Sequence, residues 1–313
     1  MAAFYTFEDL SGTSTPVTGD NPYKDLIAAC HDDPIQIQAR YDAHRTNRNA
    51  QQRAKFLAPD FLGVTIDDIL AKLEDPTIEP GFVDWRNCLV FWARPPQQVR
   101  SLIAEVQRRL KDAAAPDLWI MPPMNLHMTA MEVAHSYSPG EIDALVSKLK
   151  PEMAEIANYT LDHRARLVKP MVSYDAQALA LSFLPAVGEG DRPPEIDSYT
   201  YHHLRRDLFS KIQAAGVKVA SRYAIPSAHL TIGRFITKRH FETANGDVDH
   251  SRVVKLVAAI EDINEWLQAE YWPKDEGIKA GGEWIVGEER GLEARKGKLW
   301  YGGGERLYLG EGL

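Results

Sequence analysis

A short pattern occurs twice in this chain, and it restricts the folds open to it more than any other feature. Residues 122–131 read Pro-Pro-Met-Asn-Leu-His127-Met-Thr129-Ala-Met, and residues 226–235 read Pro-Ser-Ala-His229-Leu-Thr231-Ile-Gly-Arg-Phe. Side chains of an extended strand alternate between its two faces. Each pattern therefore puts an imidazole and a hydroxyl on one face and an apolar residue on the other. The chain must build two such half-buried strands roughly a hundred residues apart, about the length of one structural half. Facing one another, they would gather two imidazoles and two hydroxyls around one small volume, suited to acid–base chemistry on an anion. The spacing also predicts an old internal duplication.

The 313 residues suffice for one large domain or two ordinary ones, and a hydrophobic fraction of 44% supports a sizeable core. A net charge of −8 gives no global attraction to a polyanion. A DNA duplex is therefore not an expected partner; any nucleic-acid contact should be an end, a nucleotide or a cyclic phosphate. Cys30 and Cys88 are the only cysteines and form no Cys-x-x-Cys pair. No metal site is expected, and a reducing compartment is the simplest reading. No basic region followed by an apolar run opens the sequence, and the longest mostly apolar stretch, near residues 176–187, is too short to span a bilayer. The expectation is a soluble, cytoplasmic or nuclear monomer, with no membrane partner and no cofactor.

Helical spacing across residues 21–76 stops at Pro76, Pro80 and Gly81. Residues 1–80 are thus read as a partly helical N-terminal extension and residues 81–313 as the main domain. Strands are predicted at 87–94, 118–121, 126–133, 160–169, 178–184 and 229–236, with helices at 99–111, 139–157, 198–214 and 253–269. The tail alternates turns with short strands at 283–286, 299–301 and 306–309. Gly302, Gly303 and Gly304 lack the Lys-Ser/Thr and the helix of a phosphate loop, and read as a hairpin turn.

The two motifs resemble the paired His-x-Thr/Ser-x signatures of the 2H phosphoesterase superfamily, which includes 2′-5′ RNA ligase-like proteins and cyclic nucleotide phosphodiesterases. Direct resemblance is confined to the motifs and their flanks; the element order from about residue 82 is compatible, and the extension lies outside it. The resemblance implies an α+β, bilobal fold with two antiparallel sheets backed by helices around a central cleft, here with a helical N-terminal extension. It implies metal-independent cleavage of a phosphoester, often a 2′,3′-cyclic phosphate, with a nucleotide or RNA-end phosphate as substrate. His127, Thr129, His229 and Thr231 would be the catalytic residues.

The chemistry explains the residue types. Opening a cyclic phosphodiester takes a proton from water and gives one to a ribose oxygen, so one imidazole must start neutral and the other protonated. Histidine, with an ordinary pKa of about 6.5, suits both roles, and either ring could take either one. The threonine hydroxyls can donate to the non-bridging phosphate oxygens. In-line displacement places water and leaving oxygen on opposite sides of phosphorus, which predicts the motifs on opposite walls.

Substrate-binding candidates are Arg234, Trp92, Tyr223 and Tyr201. Alternation puts Arg234 on the face away from Thr231 unless a bulge forms at Gly233. Trp92 and Tyr223 could stack a base, and Tyr201 could flank the cleft. His202-His203-Leu-Arg205-Arg206 reads as the wet face of a helix, and the basic run from His163 to Lys169 as a solvated edge strand. Two alternatives remain open: a catalytically inactive nucleotide- or RNA-binding module of the same fold, and a phosphoesterase for a non-nucleotide substrate.

Overall fold

A computed structural model describes residues 8–13, 21–190, 192–219 and 224–313. Much of the first 20 residues, and the stacking candidate Tyr223, lie outside the described residues. The extension supplies α1 (Tyr23–Ala29), α2 (Pro34–Leu57) and α3 (Asp68–Glu74). There follow β1 (Asn87–Ala93), α4 (Gln97–Ala113), β2 (Trp119–Ile120), β3 (Met128–Tyr137), α5 (Pro139–Leu149) and α6 (Met153–Asn158). The second half carries β4 (Arg166–Tyr174), β5 (Ala178–Pro185), α7 (Tyr201–Ala214), β6 (Ala228–Arg234) and α8 (His250–Tyr271). Three short strands close the chain: β7 (Glu283–Ile285), β8 (Glu293–Gly297) and β9 (Glu305–Leu309).

Local chemistry sets several of these boundaries. Asp33 caps α2 by accepting from the Ile35 amide at 2.9 Å, with Pro34 in the first turn. Ser138 and Glu141 form a reciprocal capping box on α5. The single helix expected over 139–157 is two helices, because Pro151 cannot continue α5. The predicted strand at 299–301 is instead part of the loop between β8 and β9. The cause is Gly297, whose φ of +103° ends β8. The triglycine lies in that same hairpin loop, as expected.

The fold is α+β, with a fully antiparallel sheet. The two separate sheets expected are one continuous sheet of nine strands, ordered β7-β4-β5-β6-β3-β1-β8-β9, with β2 pairing β6. Its two halves meet where β3 pairs with β6, and that joint consists of a single residue pair, Met128 with Leu230. Elsewhere the pairings are longer: β5 and β6 match at six positions. The two motifs therefore lie on neighbouring central strands rather than on opposing walls.

Alternation sorts the strand residues. Along β1, Leu89, Phe91 and Ala93 enter the main core, while Cys88, Val90 and Trp92 form a smaller cluster with Leu299 on the other face. The amphipathic stripe of α4 (Val99, Leu102, Ile103, Val106, Leu110) is buried throughout. Tyr23, Leu26, Ile37, Tyr41 and Phe56 of the extension join the same main core, with α1 against α7 and α2 across β4 and β5. That cover corrects the reading of α7 as a wet face: His202, His203 and Arg205 are buried. The run ending at Lys169 is no edge either, since β4 lies between β7 and β5 and Arg166 is held by Asp197 and Glu283. No helix among the described residues is long and apolar enough to cross a membrane.

Candidate active site

The joint between β3 and β6 builds the site. Met128 and Leu230 face each other and point their side chains into the core. Stepping one residue either way in an antiparallel pair sets His127 across from Thr231 and Thr129 across from His229. All four polar side chains line one cavity of about 90 Å³.

A shared irregularity extends the motifs. Trp92 pairs with Thr129 and Phe91 with Met131, leaving Ala130 as an extra residue; Ala180 pairs with Thr231 and Leu179 with Gly233, leaving Ile232 extra. Both bulges follow the threonine directly, and a bulge reverses which face the next residues occupy. Glu132 and Arg234 thereby return to the motif face, and both line the cavity. The condition placed on Arg234, a bulge beside Gly233, is met. Gln107 of α4 stabilises the second bulge by donating to the Ile232 and Met121 carbonyls, each at 2.9 Å.

The two imidazoles sit in different surroundings. His127 Nδ1 lies 2.7 Å from the Asn125 carbonyl oxygen, which can only accept, so Nδ1 carries the proton. In the neutral ring Nε2 is then a bare acceptor. His229 Nδ1 lies 2.9 Å from the Ser227 hydroxyl, which serves either tautomer. Burial pushes His127 down to about 3, with the Asn125 bond opposing the shift and Arg94, Arg234 and His229 adding to it. Burial likewise brings His229 to about 4, helped by the charges of Arg48 and Arg205. Both rings are therefore neutral at pH 7.

Two arginines border the same volume. Arg234 Nη1 meets Asp67 at 3.0 Å, and Asp67 in turn accepts from the Tyr301 hydroxyl at 2.7 Å. Asp67 belongs to the extension, at the N-cap of α3. Arg205 differs. It is 2% exposed and donates to the Ile225 carbonyl and the Tyr23 hydroxyl, and among the described residues no carboxylate pairs with it. A buried cation held only by neutral acceptors is expensive unless an anion joins it. Arg205 and Arg234 thus set positive charge against the cavity, whose wall also carries Glu132.

The aromatic candidates take other roles. Trp92 lines the cavity but is 1% exposed, because its ring stacks on His127 with centroids 3.9 Å apart. It supports the imidazole and is closed to a base. Tyr201 is fully buried behind the motif strand, its hydroxyl donating to the Thr129 carbonyl, and does not line the cavity. Residues missed in the sequence include Ser227, which alternation from His229 could have found, and Arg205, which shares a helical stripe with Tyr201, Leu208 and Ile212. Trp300, on the β8–β9 loop, also borders the cavity. Asn125, the anchor of His127, donates to the Tyr301 carbonyl of that loop at 2.9 Å.

A second cavity of about 210 Å³ adjoins the first. It shares Ile225, Ser227, His229, Thr231, Arg234 and Trp300 with it and is otherwise lined from α2, β4 and β5. No three His, Cys, Asp or Glu side chains among the described residues gather as metal ligands would.

No family model matches this sequence, and no curated protein matches it. Among solved structures, the chain is similar to the protein TT0787 of Thermus thermophilus, at 16% identity and a TM-score of 0.39, over 72% of this chain and 97% of that one. It is similar to the protein ATU0111 of Agrobacterium tumefaciens, described as conserved and of unknown function, at 14% identity and a TM-score of 0.45, over 73% and 88%. It is also similar to Usb1 of Kluyveromyces marxianus, solved with uridine monophosphate, at 12% identity and a TM-score of 0.34, over 72% and 96%. The resemblance to the 2H phosphoesterase superfamily thus rests on the two motifs.

Proposed function

We propose that this protein is a phosphodiesterase that opens a 2′,3′-cyclic phosphate on a nucleotide or an RNA end by two-histidine acid–base catalysis. The observation that carries this reading is the Met128–Leu230 pairing, which sets each histidine beside the other motif's threonine on one face. In the proposed step, His127 Nε2 takes a proton from a water as the water oxygen attacks phosphorus. The bond from phosphorus to one ribose oxygen breaks, and that oxygen takes a proton from His229. His127 suits the base role because its Nδ1 proton is tied to Asn125. His229, whose Nδ1 faces the Ser227 hydroxyl, can hold a second ring proton against that oxygen and suits the acid role. Thr129 and Thr231 would donate to the non-bridging oxygens, and Arg205 would balance their charge.

The direct test is incubation of the four nucleoside 2′,3′-cyclic phosphates and a cyclic-ended oligoribonucleotide with the protein in excess chelator. Conversion to a monophosphate is the expected result. Tight binding without conversion of any of them would favour the inactive-module reading.

The depressed histidines add a pH prediction. His229 should gain a proton once an anion sits against it, because a nearby negative charge favours the imidazolium. Sulfate is a dianion across this range, so any pH dependence of its affinity reports the protein. Between the pKa of the empty site, about 4 for His229, and the raised value of the complex, binding takes up protons and tightens as pH falls. Calorimetry from pH 8 to pH 5 should show that trend, with proton uptake seen in buffers of different ionisation enthalpy. Affinity that stays flat with pH would remove His229 from the anion site.

A further inference from the structure

The two halves of the site match residue for residue, except where they differ in volume. Trp92 pairs with Thr129, and Val90 with Glu132; in the other half Ala180 pairs with Thr231, and Ala178 with Arg234. Both sets bracket a bulge. Position by position, Ala180 thus occupies the place of Trp92. In the first half the indole fills the space beside the imidazole and stacks on it. In the second half that space is the 210 Å³ cavity, bounded by the small residues Ala178, Ala180 and Ser182 on the same face of β5. Leu181 and Phe183 do not line it and are buried.

We propose that this second cavity is a binding site for a planar heterocyclic base, which takes beside His229 the place that Trp92 takes beside His127. The identity of the attached group rests on the phosphodiesterase reading: the base would belong to the nucleotide whose phosphate meets the two motifs. Helix α2 lines the site with His44, Arg45 and Arg48, so the extension contributes to the selectivity alongside β5. Charge argues for a neutral ring over a second phosphate. Arg48 is paired with Asp175 at 2.8 Å, Arg45 with Asp42 at 3.1 Å, and Arg234 with Asp67 at 3.0 Å. Each arginine of the lining is therefore already paired with a carboxylate. Arg45 lines the cavity at 4% exposure, and its Nη2 has no hydrogen-bond partner among the described residues. A carbonyl or ring nitrogen on a base edge would satisfy such a donor.

The test uses free nucleosides, which carry no phosphate, and a base-free substrate, the 2′,3′-cyclic phosphate of methyl riboside. The full-length protein should bind at least one of adenosine, guanosine, cytidine and uridine in calorimetry. Ala180→Leu should weaken that binding at least tenfold. It should also lower by at least tenfold the ratio of kcat/KM for the nucleoside cyclic phosphate to that for the base-free one. Ala178→Val, a smaller change at the rim, should shift both readouts at least threefold and keeps the test open if the larger variant does not fold. Nucleoside binding that Ala180→Leu abolishes, in a protein that cleaves nothing, upholds the base site and fails the phosphodiesterase reading. Turnover with no preference for a base, or variants that bind nucleosides as the wild type does, overturns the base site and leaves that reading standing.

Discussion

Replacing His127 or His229 by alanine is expected to lower kcat/KM for a cyclic nucleotide by about a hundredfold to ten-thousandfold, the usual contribution of a positioned acid or base. In the proposed mechanism the two rings act in one step, so the double variant should be little worse than the more damaging single one. Loss of fold is the competing explanation, and the surroundings allow it to be separated. His127→Ala removes the ring that stacks on Trp92, so some loss of stability accompanies the chemistry. His127→Gln keeps a side-chain donor within reach of the Asn125 carbonyl and should fold more nearly as the wild type does. If that variant melts like the wild type and still turns over at a normal rate, His127 is not the base. The same comparison for His229 uses His229→Gln, with Ser227 as the retained partner.

The second large effect is expected at Arg205. Arg205→Met should lower kcat/KM about a hundredfold, the order of loss seen when one donor to a developing anion is removed. Stability of the empty protein should change far less, because two effects oppose one another. Removing a buried cation with no carboxylate relieves a desolvation cost of several kcal/mol. Against this, the Ile225 carbonyl and the Tyr23 hydroxyl lose their donor, at about 1–3 kcal/mol each. The diagnostic is the melting temperature with and without sulfate. Sulfate should raise the Tm of the wild type through binding to the folded state, and the shift should vanish in the variant. A variant that sulfate still stabilises to the same extent would show that the anion is held elsewhere.

Most of the strands and long helices were legible because their periodicities are strong. The alternation in each motif was enough to place its histidine and threonine on one face, and the glycine after Thr231 was enough to raise the bulge that brings Arg234 round. Two things were hidden, each for a physical reason. The first is how the halves meet. A single residue pair, Met128 with Leu230, turns two expected sheets into one, and no local pattern encodes a pairing between strands so far apart in the chain. The second is what covers what. His202 and Arg205 look like surface residues on their own helix, and they are buried because α1 and α2 bring Tyr23 and Tyr41 against them. Trp92 illustrates the same limit. Its strand position was readable, but the imidazole lying on its face depends on the register of β1 with β3, so the ring that looked open to a base is closed.

The thin joint at the middle of the sheet has a mechanical consequence. The rings proposed to grip one phosphorus atom belong to half-sheets whose strands pair at a single residue, so a slight shear there would alter their separation more than motion within either half. A molecule held by both rings acts as a second rivet. A phosphate bridging the two rings would then supply part of the stiffness that aligns them.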